Sequence, residues 1–140
     1  MAPAYLEGGS RLGVVEGIKD YIDYFFECRH CRDHFMEGHK SCKFRQCDIR
    51  EEEEDDQELV LWLWRVHNDV NERTARQKGV EDEELPRHLW PAEIHCPQCR
   101  DQVHPNSTVS WNQGQVLRHI QTSLWCPDWT TRDGPSQEYQ

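Results

Sequence analysis

The strongest structural signal in this chain is the helical pattern "QELVLWLWRVHNDVNERTARQ", from Gln57 to Gln77. Acidic residues stand near its start and Arg76 near its end, which complements the helix dipole, and Gly79 then stops it. We expect Leu59, Val60 and Leu63 to face a core, with Trp62 on the flank. At 140 residues the chain is long enough for one domain organised around this helix.

Two further helices are predicted on either side of this pattern. From Leu12 to about Met36 the apolar residues recur in steps of three and four, which indicates an amphipathic helix. The stretch "FECRHCRDHF" lies at or just past its end, or across a break into a second helix. Ser110 to Trp125 is predicted as the last helix, with Val116, Leu117, Ile120 and Leu124 on one stripe. Since no strand pattern is strong, the predicted fold class is all-α.

Composition excludes several classes of function. The net charge of −10 disfavours nucleic acid or an anionic membrane as a partner. No run of about 18 apolar residues occurs, so no membrane span is predicted. The N-terminus lacks the apolar region of a signal peptide. Seven cysteines and the sequon "NST" at Asn106 point weakly to an oxidising, secretory environment.

The domain organisation predicted from these patterns has three parts. Residues 1–11 form a loose lead-in, residues 12–126 the folded module, and residues 127–140 a disordered tail. Within the module, residues 37–56 form an acidic insertion. Its block "REEEEDD", Arg50 to Asp56, is typical of a solvated linker.

One face of the central helix carries an unusual set of side chains. Trp64, His67, Asn68 and Asn71 follow one another at i, i+3, i+4 and i+7, so they share that face. An aromatic ring, an imidazole and two amides suit a flat heteroaromatic ligand. The alternative is structural, with the polar side chains bracing a neighbouring element. In the loop "LPRHLWP", Arg87 and Trp90 could likewise meet a phosphate and a ring, or be an exposed cation and a core anchor.

The cysteine spacings leave two kinds of chemistry open. Cys28 and Cys31 form one C-x-x-C pair, which suits a disulfide or redox dithiol favoured by the neighbouring Arg and His, or half of a zinc site. About 64 residues separate Cys31 from the second pair, which is long for one zinc site. Cys96 and Cys99 suggest a short disulfide that locks a turn. Cys42 and Cys47 can form a local pair, which leaves Cys126 over.

The order of these motifs is more specific than any one of them. "YFFECRHCRDHF", "LWLWRVHNDVNER", "LPRHLWP" and "CPQC", followed by a helix that begins near "SW", closely resemble the Erv-type flavin domain of quiescin sulfhydryl oxidases. The resemblance runs from about Ile18 to Trp125, and "W-x-x-H-N-x-V-N" is its most specific part. It implies a small helical bundle that holds FAD in its mouth and acts as a thiol oxidase.

The resemblance also implies residue roles. Cys28 would be the interchange thiol that receives electrons, and Cys31 the charge-transfer thiolate that faces the flavin, with disulfides Cys28–Cys31 and Cys96–Cys99. The residues implied in FAD binding are His30, His34, Trp64, Arg65, Val66, His67, Asn68, Asp69, Val70, Asn71, Arg87 and Trp90. Among them, His67 and Asn71 would be the chief contacts around the adenine. No metal is implied.

The same resemblance implies a reaction and partners. Dithiol proteins would be oxidised and dioxygen reduced to hydrogen peroxide, in the secretory pathway, the Golgi or outside the cell. The substrates are normally delivered by a thioredoxin-like domain, which is absent here, and a homodimer is also compatible.

Three departures accompany this resemblance. The family's first flavin-walling helix, "W-x-x-x-H", has no counterpart in residues 1–17. Position 87 is Arg where the family usually has Lys, and the insertion is longer and richer in cysteine than expected. Two alternatives therefore stand beside the oxidase: a zinc-stabilised Cys/His binding module, and a catalytically incomplete fragment.

Overall fold

The computed structural model describes residues 10–51, 57–103 and 109–123. The chain divides into two compact units, Met1–Val80 and Glu81–Gln140, and each is described by itself. The described elements of the first unit are helices α1 (Arg11–Phe25), α2 (Arg29–Lys40) and α3 (Gln57–Gln77), with a short 3-10 segment, Lys43–Asp48. Those of the second are 3-10 turns Leu85–His88 and Pro97–Cys99, strands β1 (Arg100–Val103) and β2 (Val109–Trp111), and helix α4 (Gln113–Ser123).

The mainly helical class is confirmed, and α3 has the predicted bounds. Across the described ranges, no helix combines the length and the apolar character needed to cross a membrane. The predicted disordered tail, residues 127–140, lies outside the described residues, as do residues 1–9 of the lead-in.

A capping arrangement fixes the start of α1. The Ser10 hydroxyl accepts a hydrogen bond from the Gly13 amide at 2.8 Å and donates one to the Glu51 carboxylate. That carboxylate also accepts the amides of Arg11 and Leu12, each at 3.0 Å. These bonds satisfy helix donors that have no partner within the helix. Glu51 was expected to belong to a solvated linker. It is exposed, but its carboxylate connects this part of the insertion to the N-terminus of α1 through the hydrogen bonds above.

The chain breaks between α1 and α2 immediately before the first cysteine pair. Phe26 takes an extended conformation after α1, and Cys28 caps α2, because its Sγ accepts the Cys31 amide at 3.3 Å. The two-helix alternative for Leu12 to Met36 is therefore confirmed. The break places both cysteines of the pair at the N-terminus of a helix.

The core of the first unit is built around Trp62. Trp62, Val15 and Ile49 are buried, at 2%, 1% and 4% exposure. The half-buried side chains that pack on them are Ile18, Phe35, Phe44, Leu59, Leu63 and Val66. The prediction that put Trp62 on the flank is wrong, because Trp62 is three residues after Leu59 and four before Val66, on the same helical face. Ile49 and Phe44 also show that part of the insertion packs into this unit.

A short antiparallel hairpin in the second unit was not predicted. Arg100 pairs with Trp111 and Val103 with Val109, with an irregularity between Arg100 and Gln102. Because β2 takes up residues through Trp111, α4 begins at Gln113 instead of Ser110, and the Asn112 side chain caps it through the Gln115 amide at 3.1 Å. Strands this short carry too few alternations to be recognised from sequence.

Arg100 holds the second unit together through backbone oxygens. Its guanidinium donates to the carbonyls of Pro86, Leu89 and Pro91 at 2.8–2.9 Å. It also lies 4.8 Å from the Trp111 ring centroid. Burial lowers the pKa of Arg100 and the charge of Glu93 opposes that shift. One side chain thus bridges the carbonyls of Leu89 and Pro91 and that of Pro86, which also accepts the Leu89 amide at the end of the 3-10 turn.

Replacing Arg100 by Met should destabilise the second unit by about 1–3 kcal/mol, since carbonyls that lose a charged donor are costly to leave unpaired. Hydrogen exchange across residues 85–103 should rise. Arg87→Met is the matched control, because Arg87 is 81% exposed and contacts Glu84 only at 3.6 Å. Equal exchange in the two variants would contradict this role.

Candidate active site

The first cysteine pair forms a disulfide at the N-terminus of α2. Cys28 and Cys31 are bonded, with Cα atoms 5.2 Å apart. Cys28 is exposed and Cys31 is half-buried, while Arg29 and His30 beside them are exposed. A helix N-terminus and nearby cations stabilise a thiolate. The pair is therefore open to attack at Cys28 and favourable to a thiolate after it opens.

A cavity of about 40 Å³ borders Cys31. Its walls include the apolar side chains Phe35, Trp62, Val66 and Val70, with His34 and Asp69 among the polar ones. An open groove of about 500 Å³ along α3 shares His34, Asp69 and Arg73 with this cavity. The half-buried Cys31 thus borders a mainly apolar cavity, which shares His34, Asp69 and Arg73 with the wider groove.

Asp69 connects three elements at the edge of this cavity. Its carboxylate lies 3.0 Å from Nε2 of His34 on α2 and 2.8 Å from Nζ of Lys43 in the 3-10 segment. Burial raises the pKa of Asp69, but the hydrogen bonds and charges of Lys43 and His34 outweigh it, so the pKa lies below its usual value. Lys43 was not predicted as a site residue, and no local motif around it carries that information.

The structure divides the predicted residues of α3 between two sides of the helix. Val66, Asp69 and Val70 border the Cys31 cavity, together with His34 of α2. The other residues do not line it: Trp64 is buried, His67 is exposed, and Asn68 and Asn71 are half-buried. Arg65 donates to the Phe44 carbonyl at 3.1 Å and pairs with Glu58, which is a structural contact. Roles in cofactor binding for His30, Trp64 to Asn71 and His34 stay predictions.

Arg87 and Trp90 belong to the second unit. Arg87 is exposed and Trp90 half-buried, with its ring 5.5 Å from that of His119 on α4. Their predicted role beside the flavin stays a prediction.

The other two described disulfides differ sharply in exposure. Cys96 and Cys99 are bonded and 0% exposed, as a turn-locking disulfide would be. Cys42 and Cys47 are also bonded, which confirms the local pair, and both are exposed. Cys126 lies outside the described residues.

The hypothesis of a zinc-stabilised module finds no set of metal ligands among the described residues. Within them, no group of three or more His, Cys, Asp or Glu side chains is placed to hold a metal ion.

The comparisons with known proteins point to one family. Residues 10–91 match the Erv1 / Alr family. The chain is 37% identical over 109 residues to Sulfhydryl oxidase 2 of Mus musculus, which is 78% of this chain and 14% of that protein. It is 31% identical over 121 residues to Sulfhydryl oxidase 1 of Arabidopsis thaliana, 82% of this chain and 21% of that protein. The chain thus spans 14% to 21% of the length of these relatives. No solved structure matches the chain.

Mild reduction should open Cys28–Cys31 before Cys96–Cys99. The two bonds have the same sequence separation and nearly equal Cα distances, 5.2 and 5.3 Å, so they form a matched pair that differs in burial. A small dithiol reaches an exposed sulfur and not a buried one. Brief treatment, alkylation and peptide mapping measure the order, and simultaneous labelling would contradict the assignment.

Asp69 should contribute stability that is lost in acid. Since its pKa is lowered on folding, the contribution is fully present above the unfolded value of about 3.9 and is lost as pH falls through the lower folded value. In urea unfolding at about pH 6, Asp69→Asn should therefore have a lower free energy of unfolding than the unsubstituted chain. This difference in the free energy of unfolding should shrink below about pH 4. Asp33→Asn is the control, since Asp33 is 64% exposed and contacts Arg32 at 3.8 Å. A gap that persists unchanged in acid would exclude this role.

Proposed function

The chain belongs to the Erv1 / Alr family, and we propose that it is a thiol oxidase that forms disulfides in dithiol substrates. The observation that carries this proposal is the asymmetry of the Cys28–Cys31 bond. Cys28 is exposed at a helix N-terminus, and Cys31 is half-buried on an apolar cavity. Cys28 is therefore open to substrate, and Cys31 borders a cavity where an electron acceptor could contact it.

Thiol exchange at this bond proceeds in two steps. A substrate thiolate attacks Sγ of Cys28, which forms a mixed disulfide and releases Cys31 as a thiolate. The second substrate thiolate then attacks the substrate sulfur of that mixed disulfide and releases Cys28. The substrate leaves with a disulfide, and the pair has gained two electrons. Arg29 and the N-terminus of α2 favour the thiolates produced.

FAD is the cofactor that we propose for this site. When bound, it would accept two electrons from the reduced pair and pass them to dioxygen, which gives hydrogen peroxide. The residues fit such a group in their chemistry, since the half-buried Cys31 and His34 border apolar walls. On another side of α3, the exposed His67 with Asn68 and Asn71 offers an imidazole and amides to a heteroaromatic ring.

The full set proposed to bind FAD comprises His30, His34, Trp64 to Asn71, Arg87 and Trp90. His67 and Asn71 are proposed to lie around the adenine.

Substrates and compartment follow from the same proposal. The substrates are protein dithiols, presented by a thioredoxin-like partner domain. We also propose that two copies of the chain pair as a homodimer, which leaves this chemistry unchanged. Three disulfides in the described part of the chain suit an oxidising compartment, in the secretory pathway or outside the cell.

Cys31→Ser should abolish oxidation of a reduced dithiol protein, because the sulfur that passes electrons onward is gone. Oxygen consumption and hydrogen peroxide formation measure turnover, and the visible absorbance of the purified chain measures bound flavin. Cys126→Ser is the control, since Cys126 is not part of the proposed pair. Turnover that survives in Cys31→Ser would refute the role, and a purified chain without flavin absorbance would refute FAD as its cofactor.

A further inference from the structure

We propose that Lys43 is a positioning residue of the redox site, which holds Asp69 and thereby His34 beside Cys31 and favours the Cys31 thiolate. The inference rests on the proposed redox role of Cys28–Cys31 and adds to it a residue from the cysteine-rich insertion. Lys43 belongs to no motif of the site, and its position follows from the contacts of the folded chain.

The Lys43 side chain is held along its length. Its Nζ lies 2.8 Å from Oδ1 of Asp69 and 4.6 Å from the centroid of the Phe44 ring. Its stem lies beside Gly38 of α2, where an added Cβ would be in van der Waals contact with Lys43 Cδ at 3.6 Å. Although the side chain is 41% exposed, these contacts direct the ammonium toward the edge of the cavity.

The loop that carries Lys43 is fixed in an uncommon conformation. Cys42, Phe44 and Arg45 have φ angles of 56°, 60° and 65°, in the left-handed region that residues other than glycine rarely adopt. Such a backbone persists only where surrounding contacts impose it. Here the Cys42–Cys47 bond closes the loop, and Arg65 donates to the Phe44 carbonyl at 3.1 Å.

The connection from Lys43 to Cys31 passes through two side chains. Oδ2 of Asp69 lies 3.0 Å from Nε2 of His34. His34 is one turn beyond Cys31 on α2, so both lie on the same face, and all four residues border the same cavity. Lys43 offsets the Asp69 charge, which would otherwise oppose a thiolate at Cys31.

Other charged groups surround the cavity and limit the effect of any one of them. The titratable or charged groups on its walls are His34 and His39 of α2, Lys43, and Asp69 and Arg73 of α3. On the α1 side, Asp23 pairs with Arg32 at 2.8 Å. Since Arg73 remains when Lys43 is removed, we expect a partial loss of thiolate stabilisation.

The test measures the rate at which iodoacetamide alkylates Cys31 between pH 5 and pH 9. It uses the full chain with Cys28→Ser, which leaves Cys31 as a free thiol, and peptide mapping identifies the alkylated residue. Lys43→Met should slow alkylation at neutral pH by about three- to tenfold and move the pH profile upward, since only the thiolate reacts. Lys43→Arg keeps the cation and should stay within about twofold of the parent. Lys43→Gln removes the same charge, so it replaces Lys43→Met if that variant does not fold.

A second comparison tests whether Lys43 acts through Asp69. With Asp69→Asn already present, Lys43→Met should change the rate by less than about twofold, because Lys43 no longer holds a carboxylate beside His34. An equal slowing in both backgrounds would overturn the proposal, as would an unchanged profile in Lys43→Met and Lys43→Gln. A purely structural Lys43 would lower stability without moving the profile. Since the measurement needs no flavin and no turnover, a chain that fails to bind FAD would leave its result intact.

Discussion

The burial of one indole ring, that of Trp62, organises the first unit. Val15 from α1 and Ile49 from the end of the insertion share its core, and Phe35 of α2 meets the ring edge-on at 6.5 Å between centroids. Elements that are far apart in sequence are thereby fixed against α3. A ring of this size contributes a few kcal/mol of apolar burial, which offsets part of the entropy lost when the described residues of the insertion are ordered. The Cys28–Cys31 disulfide follows shortly after α1, so its position depends on this packing.

The same packing determines which side chains border the cavity beside Cys31. Trp62 and Val66 form part of its apolar wall, and Asp69 lies about one turn further along α3, where it contacts His34 and Lys43. The cavity therefore has one side formed by apolar side chains and one side that carries the Asp69 carboxylate, which contacts both His34 and Lys43. This arrangement suits a sulfur that must be shielded from water and still be stabilised as an anion.

The sequence predicts best what depends on local patterns. The bounds of α3 were recoverable because acidic residues, a basic end and Gly79 mark them, and the three described disulfides join cysteines only three or five residues apart. What depends on distant partners was not recoverable. Glu51 caps a helix 40 residues away, Lys43 reaches Asp69 through a left-handed turn, and Arg100 binds loop carbonyls. No propensity or spacing contains such contacts, because tertiary packing creates them.

The three described disulfides show how surroundings assign different roles to one kind of bond. Cys96–Cys99 is fully buried, so thiolates cannot reach it and it serves the fold. Cys28–Cys31 has nearly the same span but stands at a helix N-terminus, with one sulfur in solvent and the other on a cavity. Cys42–Cys47 closes a loop that contains Lys43, and Lys43 lines the same cavity. Since bond type and separation are so similar, the difference in reactivity that we predict rests on burial, helix position and neighbouring charge. The described part of the insertion, through Lys43 and Phe44, thus belongs to the surroundings of Cys31.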